Sequence, residues 1–214
     1  MNQRKIGAII SYAQMIIGII ISLIYTPFMI KLLGQNEYGL YNTVASTISM
    51  MGLLNLGFNS SYIRYYSKYK KNHDLHEIYR LNGLFIVIFF ILGFIAFICG
   101  IFLYSHIQFV FSEGLTDSEY ELAKKLLLLL IVNLSISFPM SVFADIISAH
   151  EKFIFLKLLG VMRTVCSPLV TLPLLFAGYR SVAIVIVTML FAFITDVAYL
   201  YYTLENSLLV YWGA

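Results

Sequence analysis

Long apolar runs alternate with short polar stretches along this chain, and each run is about as long as a membrane crossing. A helical span needs roughly 20 mostly apolar residues. By this criterion we predict six spans, at about 6–30, 40–63, 81–104, 125–147, 158–177 and 181–201. The pattern therefore predicts an all-α, polytopic membrane protein that forms a six-transmembrane-helix bundle.

A polar stretch, LLGQNEYGLYN over residues 32–42, separates the first two spans. Three consecutive polar side chains, beginning at Gln35, cannot sit in hydrocarbon. Gly34 and Gly39 lie on either side of them and permit a tight reversal. We therefore predict a membrane helical hairpin with a short polar turn.

The composition supports the membrane assignment. Hydrophobic residues make up 60% of the chain and charged residues 12%, against about 25% charged residues in an ordinary globular domain. We assign residues 1–204 to one six-helix transmembrane lobe and 205–214 to a short tail. The net charge of +3 is too small to indicate nucleic acid.

The basic residues are distributed unevenly between the two ends of the predicted spans. Ten of the fourteen lie in the N-terminus, in residues 64–80 and in residues 150–163. The remaining four are Lys31, Lys124, Lys125 and Arg180. Since cytoplasmic loops are enriched in Lys and Arg, the bias predicts a cytoplasmic N-terminus and an outward-facing turn at 32–42.

The first span carries small and polar residues on one helical face, while its opposite face is Ile and Leu. The members of this stripe are Gly7, Ser11, Gln14, Gly18, Ser22 and Tyr25. Small residues allow helix backbones to approach closely. The stripe is therefore either a helix–helix contact or one wall of a polar cavity.

Polar residues also line one side of the fourth span and of the second. In the fourth span they are Asn133, Ser137, Ser141, Asp145 and Ser148, with Pro139 among them. Kinked helices at membrane depth commonly line substrate paths, although serine-mediated packing produces the same pattern. In the second span, Asn55 and Asn59 follow Gly52 on one side.

Ionisable residues near membrane depth are few, and each is a candidate site residue. Asp145 and Asp196 lie toward the cytoplasmic ends of their predicted helices, where a carboxylate reaching water is the alternative. Arg163 lies about five residues into the fifth predicted span and Arg64 at the inner end of the second. Each arginine either extends to the headgroups or points into a cavity as an anion ligand.

Motifs for metal binding and catalysis give little signal. His73 and His76 have a weak metal-like spacing, but no cysteine or carboxylate set surrounds them. A membrane sugar polymerase or acyltransferase would need a large outer loop with catalytic residues. The predicted outer loop, 105–124, is short and acidic, with His106 alone at its edge. We therefore expect no metal, no cofactor and no enzymatic activity.

Two segments resemble a known family. The sequences MIKLLGQNEYGLYNTVAS and GLLNLGFNSSYIRYYSKYK are similar to the first outer turn and the end of helix two in the polysaccharide-transport branch of the multidrug/oligosaccharidyl-lipid/polysaccharide exporter superfamily. Arg4 and Lys5 before a first helix with a late Pro27 add to the resemblance, which covers about the first eighty residues.

The resemblance implies one lobe of a MATE-like exporter in the bacterial cytoplasmic membrane. Such flippases move undecaprenyl-pyrophosphate-linked oligosaccharide units, with cavity cations on the pyrophosphate and polar residues on the sugars. Membrane lipids and polysaccharide assembly proteins are further expected partners. The cavity candidates are Gln14, Ser22, Tyr25, Asn55, Asn59, Arg64, Asn133, Asp145, Arg163 and Asp196.

The chain ends after six predicted spans, about half the length that the resemblance implies. We therefore expect either a truncated gene product or one lobe that pairs with a second lobe or partner subunit, because alternating access needs two bodies. A non-transporting fragment or a membrane assembly subunit is the main alternative. A drug or cation antiporter is a further one, although it would favour an acidic residue at mid-membrane.

Overall fold

A computed structural model describes residues 3–55, 57–109, 111 and 115–206, and every regular element among them is helical. Long helices form the bundle, and short 3₁₀ turns at Gly52–Asn55 and Ile107–Phe109 join some of them. The helices are α1 (Gln3–Leu33), α2 (Gln35–Met51), α3 (Phe58–Lys71), α4 (Leu75–Ser105), α5 (Asp117–Ala149), α6 (Phe153–Phe176) and α7 (Ser181–Glu205).

Five of these helices, α1, α4, α5, α6 and α7, are long and apolar enough to cross a membrane. The prediction of an all-α, polytopic membrane protein is confirmed. The helices extend beyond the predicted spans; α5, for example, begins at Asp117 and α6 at Phe153. These extra turns carry charged residues, which the hydropathy criterion assigned to loops.

The second predicted span, 40–63, is wrong as a continuous helix. The chain forms α2, then the 3₁₀ turn Gly52–Asn55, and then α3. Gly57 precedes α3 with a backbone φ of 94°, a left-handed conformation that favours glycine. Two short, polar helices therefore replace one long apolar helix at this position.

Helix α5 lies at the centre of the bundle and packs against α2, α3, α4, α6 and α7. A capping box begins it, since Thr116 and Glu119 satisfy each other's backbone N–H groups. One core cluster, around Tyr62, Phe89 and Ile146, joins α5 to α3 and α4. Another joins its first half to α2 and α7 through Leu40, Val44, Leu126, Leu127 and Val185.

At Gly93, α4 lies close against the backbone of α5. Pro139 has no N–H, so it cannot hydrogen-bond the Ser135 carbonyl one turn earlier. Gly93 packs directly over this carbonyl, and a Cβ at Gly93 would lie 2.8 Å from the Ser135 oxygen and 3.0 Å from Pro139 Cδ. The glycine therefore lets α4 cover the backbone position that the proline leaves unpaired.

We predict that Gly93→Ala lowers the stability of the bundle by about 1–3 kcal/mol, because the backbone oxygen that the new methyl meets cannot move aside cheaply. Gly83→Ala is the matched control on the same helix, since nothing lies within 4 Å of a Cβ there. It should be neutral or slightly stabilising. Thermal unfolding in detergent measures both, and equal midpoints for the two variants would contradict the packing described.

Candidate functional site

The exposed face of α2 is polar, unlike that of the apolar membrane helices. Asn42, Ser46 and Ser49 are exposed and lie three or four residues apart, hence on one side of the helix. The only large apolar side chain that α2 exposes is Met50. Helix α4, by contrast, exposes Phe, Ile and Leu along most of its length. The faces of α4 therefore suit lipid, and the face of α2 suits water or a hydroxyl-rich ligand.

Helix α3 is held to the bundle by a row of polar side chains at residues 59, 62 and 66. Asn59 donates its side-chain N–H to the Asp145 carboxylate on α5. The Tyr62 hydroxyl donates to Asn82 Oδ1 on α4, at 2.6 Å. The first hydrogen bond brings the predicted candidates Asn59 and Asp145 together, and the two bonds fix α3 against two different helices.

The third of these side chains, Tyr66, reaches the turn between α5 and α6. Its hydroxyl lies 2.7 Å from His150 Nε2, and His150 Nδ1 lies 2.9 Å from the Ile146 carbonyl. Burial lowers the pKa of His150, and the nearby charges of Lys70 and Lys152 act in the same direction. Burial also raises the pKa of Tyr66 to about 12. A neutral imidazole satisfies both contacts, because it donates from Nδ1 to the Ile146 carbonyl and accepts a hydrogen bond from the Tyr66 hydroxyl at Nε2.

A second group of polar side chains lies where α5, α6 and α7 meet. Ser137 on α5 donates to Asp196 on α7, with the oxygens 3.5 Å apart. Arg163 on α6 is close enough for its charge to act on both Asp196 and Tyr199. The structure therefore brings Arg163 and Asp196 together.

Arg163 lies deeper than the sequence suggested. The predicted span began at 158, whereas α6 begins at Phe153. Arg163 is therefore about 15 Å along the axis from the start of α6, and Asp196 is about 14 Å from the end of α7. The charge comparison counted Arg163 with the loop 150–163, but Arg163 lies inside α6, as it did inside the predicted span. The two charges lie at a similar depth within the bundle.

The small and polar face of α1 contacts α6 along most of its length. Gln14 Nε2 lies 3.4 Å from the Thr164 hydroxyl, and a Cβ on Gly160 would meet the Gln14 amide at 2.8 Å. A Cβ on Gly7 would meet the Phe153 side chain at 2.6 Å. Of the two readings, helix–helix contact therefore describes this part of the stripe.

The upper part of the α1 stripe differs. Ser22 is exposed, and Tyr25 is half-buried. Tyr25 also borders an apolar groove of about 210 Å³ between α1 and α6. These two residues therefore stand apart from the close helix contact.

The remaining candidates are not gathered into one site by the contacts described. Asn55 ends the 3₁₀ turn, and its buried side-chain oxygen has no hydrogen-bond partner among the described residues. Asn133 is half-buried on α5, and Arg64 is exposed on α3.

Sequence reasoning missed the role of Glu37. It read residues 35–37 as a solvated turn, but Glu37 is only 5% exposed. Its Oε1 accepts hydrogen bonds from the Ser181 N–H at 2.8 Å and the Ser181 hydroxyl at 2.7 Å. Its Oε2 lies 2.6 Å from the Arg180 guanidinium, as an ion pair that lacks hydrogen-bond alignment.

Glu37 therefore joins the α1–α2 turn to the first residue of α7. A carboxylate at a helix N-terminus satisfies free N–H groups and interacts favourably with the helix dipole. No local pattern around Glu37 indicates this contact, because Ser181 lies far away in the sequence. Among the described residues, no group of three or more His, Cys, Asp or Glu side chains could hold a metal ion.

Comparison with known families gives one match. Residues 5–209 match the sequence model of a family described as polysaccharide biosynthesis protein. Comparisons with curated proteins and with solved structures gave no match.

We predict that Glu37→Ala lowers the stability of the bundle by about 2–3 kcal/mol, because the buried Ser181 N–H and hydroxyl lose their acceptor. Glu37→Gln keeps an acceptor and loses only the charge opposite Arg180, whose side chain is 72% exposed. It should cost under about 1 kcal/mol. Thermal unfolding in detergent measures both variants.

The matched control is Glu121→Ala, since Glu121 lines the same depression as Glu37 but is exposed. It should unfold like the unmodified chain. Glu37→Ala behaving like this control would contradict a structural role for the buried carboxylate.

Proposed function

This chain belongs to the polysaccharide biosynthesis protein family, and we propose that it forms one lobe of a flippase for lipid-linked oligosaccharides. The lobe carries undecaprenyl-pyrophosphate-linked repeat units across the bacterial cytoplasmic membrane, with its N-terminus in the cytoplasm. It does so without covalent chemistry. A role in polysaccharide biosynthesis comes from the family, and the transport step is the proposal.

The polar face of α2 is the observation that carries this proposal. Oligosaccharides need hydrogen-bonding partners along any path through hydrocarbon, because burying unpaired hydroxyl groups is costly. Asn42, Ser46 and Ser49 offer amide and hydroxyl groups on an exposed surface beside five apolar membrane helices. The break at Gly52–Asn55 fits this reading, since irregular backbone at membrane depth lines water-filled cavities.

Arg163 is our candidate ligand for the pyrophosphate. A doubly charged group entering a low-dielectric cavity needs a cationic partner, and a guanidinium binds phosphate oxygens in a bidentate manner. Asp196 lies near enough to Arg163 for the two charges to interact, although no ion pair joins them among the described residues. We propose that the pyrophosphate replaces Asp196 as the partner of Arg163 when substrate binds.

A second body completes the transporter in this proposal. Alternating access involves rocking of one bundle against another around a shared site. The polar face of α2 is uncovered by the other helices of this lobe, so it is available to a cavity between two bodies. A second lobe or a partner subunit would supply the opposite wall.

We predict that loss of the gene causes lipid-linked oligosaccharide to accumulate on the cytoplasmic side of the membrane and removes the surface polysaccharide. Complementation with Arg163→Gln should restore at least about tenfold less polysaccharide than the unmodified gene, since a charge-assisted hydrogen bond is worth roughly 1.5–3 kcal/mol. Quantifying lipid-linked sugars and surface polysaccharide in the same strains measures both effects.

The matched control is Arg80→Gln, because Arg80 is exposed at the start of α4 and pairs only with Glu77 within the described residues. It should complement fully. Normal surface delivery in the deletion strain would overturn the flippase proposal. If Arg163→Gln instead reverses the accumulation of lipid-linked oligosaccharide fully, the flippase proposal stands but Arg163 is not part of its site.

A further inference from the structure

Helix α3 presents three basic side chains along its exposed face, which we call the basic stripe: Arg64, Lys68 and Lys71. At about 100° per residue they fall within roughly 60° of one another. The same rotation places them opposite Tyr62 and Tyr66, the buried face of the helix. All three are exposed, and none takes part in an ion pair among the described residues.

The stripe lies at the level where the chain leaves the membrane. Tyr66 contacts His150, which lies in the turn between the two membrane helices α5 and α6. Lys68 and Lys71 lie beyond Tyr66 toward the end of α3. Helix α4, which follows, has 31 residues and is about 46 Å long. A hydrocarbon core of about 30 Å leaves several of its turns in the headgroup region.

An aromatic pair beside the stripe supports the same depth. The rings of Tyr65 and Tyr69 stack with centroids 6.4 Å apart, and Tyr65 is 48% exposed. Tyrosine is enriched where membrane helices meet the headgroups. Ser67 lies between Arg64 and Lys68, and its exposed hydroxyl can donate a hydrogen bond.

The apolar face of α3 is not available for insertion into lipid. Tyr62 and Tyr66 are buried against α4 and α5, within a cluster that includes Phe85 and Phe89. An amphipathic helix that binds membranes by itself would use this face. Here this face packs against the protein, so α3 exposes its charged and hydroxyl-bearing side chains. Three side-chain hydrogen bonds fix the helix in this orientation.

We propose that the basic stripe is a binding surface for the anionic phospholipid headgroups of the leaflet that α3 meets. Its three cations complement the phosphodiester charges of a lipid such as phosphatidylglycerol. The Ser67 hydroxyl between them donates to a phosphate or glycerol oxygen. Because Tyr66 fixes the depth of α3, this contact sets the height and orientation of the lobe in the membrane.

Lipid selectivity of the full chain tests this proposal. The chain is reconstituted in phosphatidylcholine vesicles with spin-labelled phosphatidylglycerol or spin-labelled phosphatidylcholine, and the motionally restricted fraction of each is measured. At low salt we expect selectivity for the anionic lipid, and Lys68→Gln with Lys71→Gln should reduce it about fivefold or more. Salt near 1 M, where the Debye length is about 3 Å, should have the same effect on the unmodified chain.

Two control pairs make the outcome specific. Lys68→Arg with Lys71→Arg keeps the charge and should keep the selectivity. Lys31→Gln with Lys125→Gln removes the same charge from exposed positions at the opposite end of the bundle and should have little effect.

Unchanged selectivity in the Lys68→Gln, Lys71→Gln pair would overturn the proposal. An equal loss in the Lys31, Lys125 pair would also overturn it, since net charge alone would then explain the selectivity. None of these outcomes depends on transport itself, so they leave the flippase proposal to its own test.

Discussion

A membrane bundle must keep polar groups away from lipid, and the segment 40–63, the second predicted span, makes that constraint severe. It is broken at Gly52–Asn55 and carries polar side chains on its exposed face. Such a segment is stable at membrane depth only where protein or water satisfies it. The rest of the bundle provides the protein side, through α5 behind α2 and through α4 and α5 behind α3.

The polar contacts of α3 follow from the same constraint. Asn59, Tyr62 and Tyr66 each take a partner on another element, so the helix turns its polar-aromatic face inward and its cations outward. Asp145 is the partner of Asn59 and is 6% exposed. The polar residues of α5 therefore divide between two neighbours, with Asp145 toward α3 and Ser137 toward Asp196 on α7.

At the other end of the bundle, Glu37 fixes the first hairpin. Its carboxylate accepts two hydrogen bonds from Ser181, the first residue of α7, and pairs with Arg180. Helices α1 and α2 are thereby joined to α7 at their turn, where Met29, Leu175 and Ile184 form a small core. Away from this turn, α1 packs on α6 while α2 packs on α5.

Five of the six predicted spans correspond, in the predicted order, to helices long and apolar enough to cross a membrane, because crossing hydrocarbon demands long apolar runs. The break in the second predicted span could not be predicted, since averaging hydropathy over residues 40–63 hides the effect of Gly52 and Gly57. The burial of Glu37 and its hydrogen bonds could not be predicted either, because its partner Ser181 lies in a different helix. Arg163 was placed too near the surface because Lys157 made the first turns of α6 look like a loop.

For the candidate site, helical periodicity selected polar residues but did not predict their partners. The stripe on α1 predicted two outcomes, and only packing against Gly160 and Thr164 distinguishes them at Gln14. Pairings such as Arg163 with Asp196 depend on how α6 packs on α7, which periodicity within one helix does not determine.

The central claim is that the polar face of α2 meets water within an otherwise lipid-facing bundle. Single cysteines, introduced after replacement of Cys99 and Cys166 by alanine, test it through their rates of reaction with a charged thiol reagent in intact membranes. The control positions are Phe94 and Ile91 on α4, which are also exposed. Phe94 matches Ser46 and Ile91 matches Ser49 in distance from the same end of the bundle, at about 17 and 21 Å. The account predicts rapid reaction at 46 and 49 and little at 94 and 91, whereas equal protection at all four positions would contradict it.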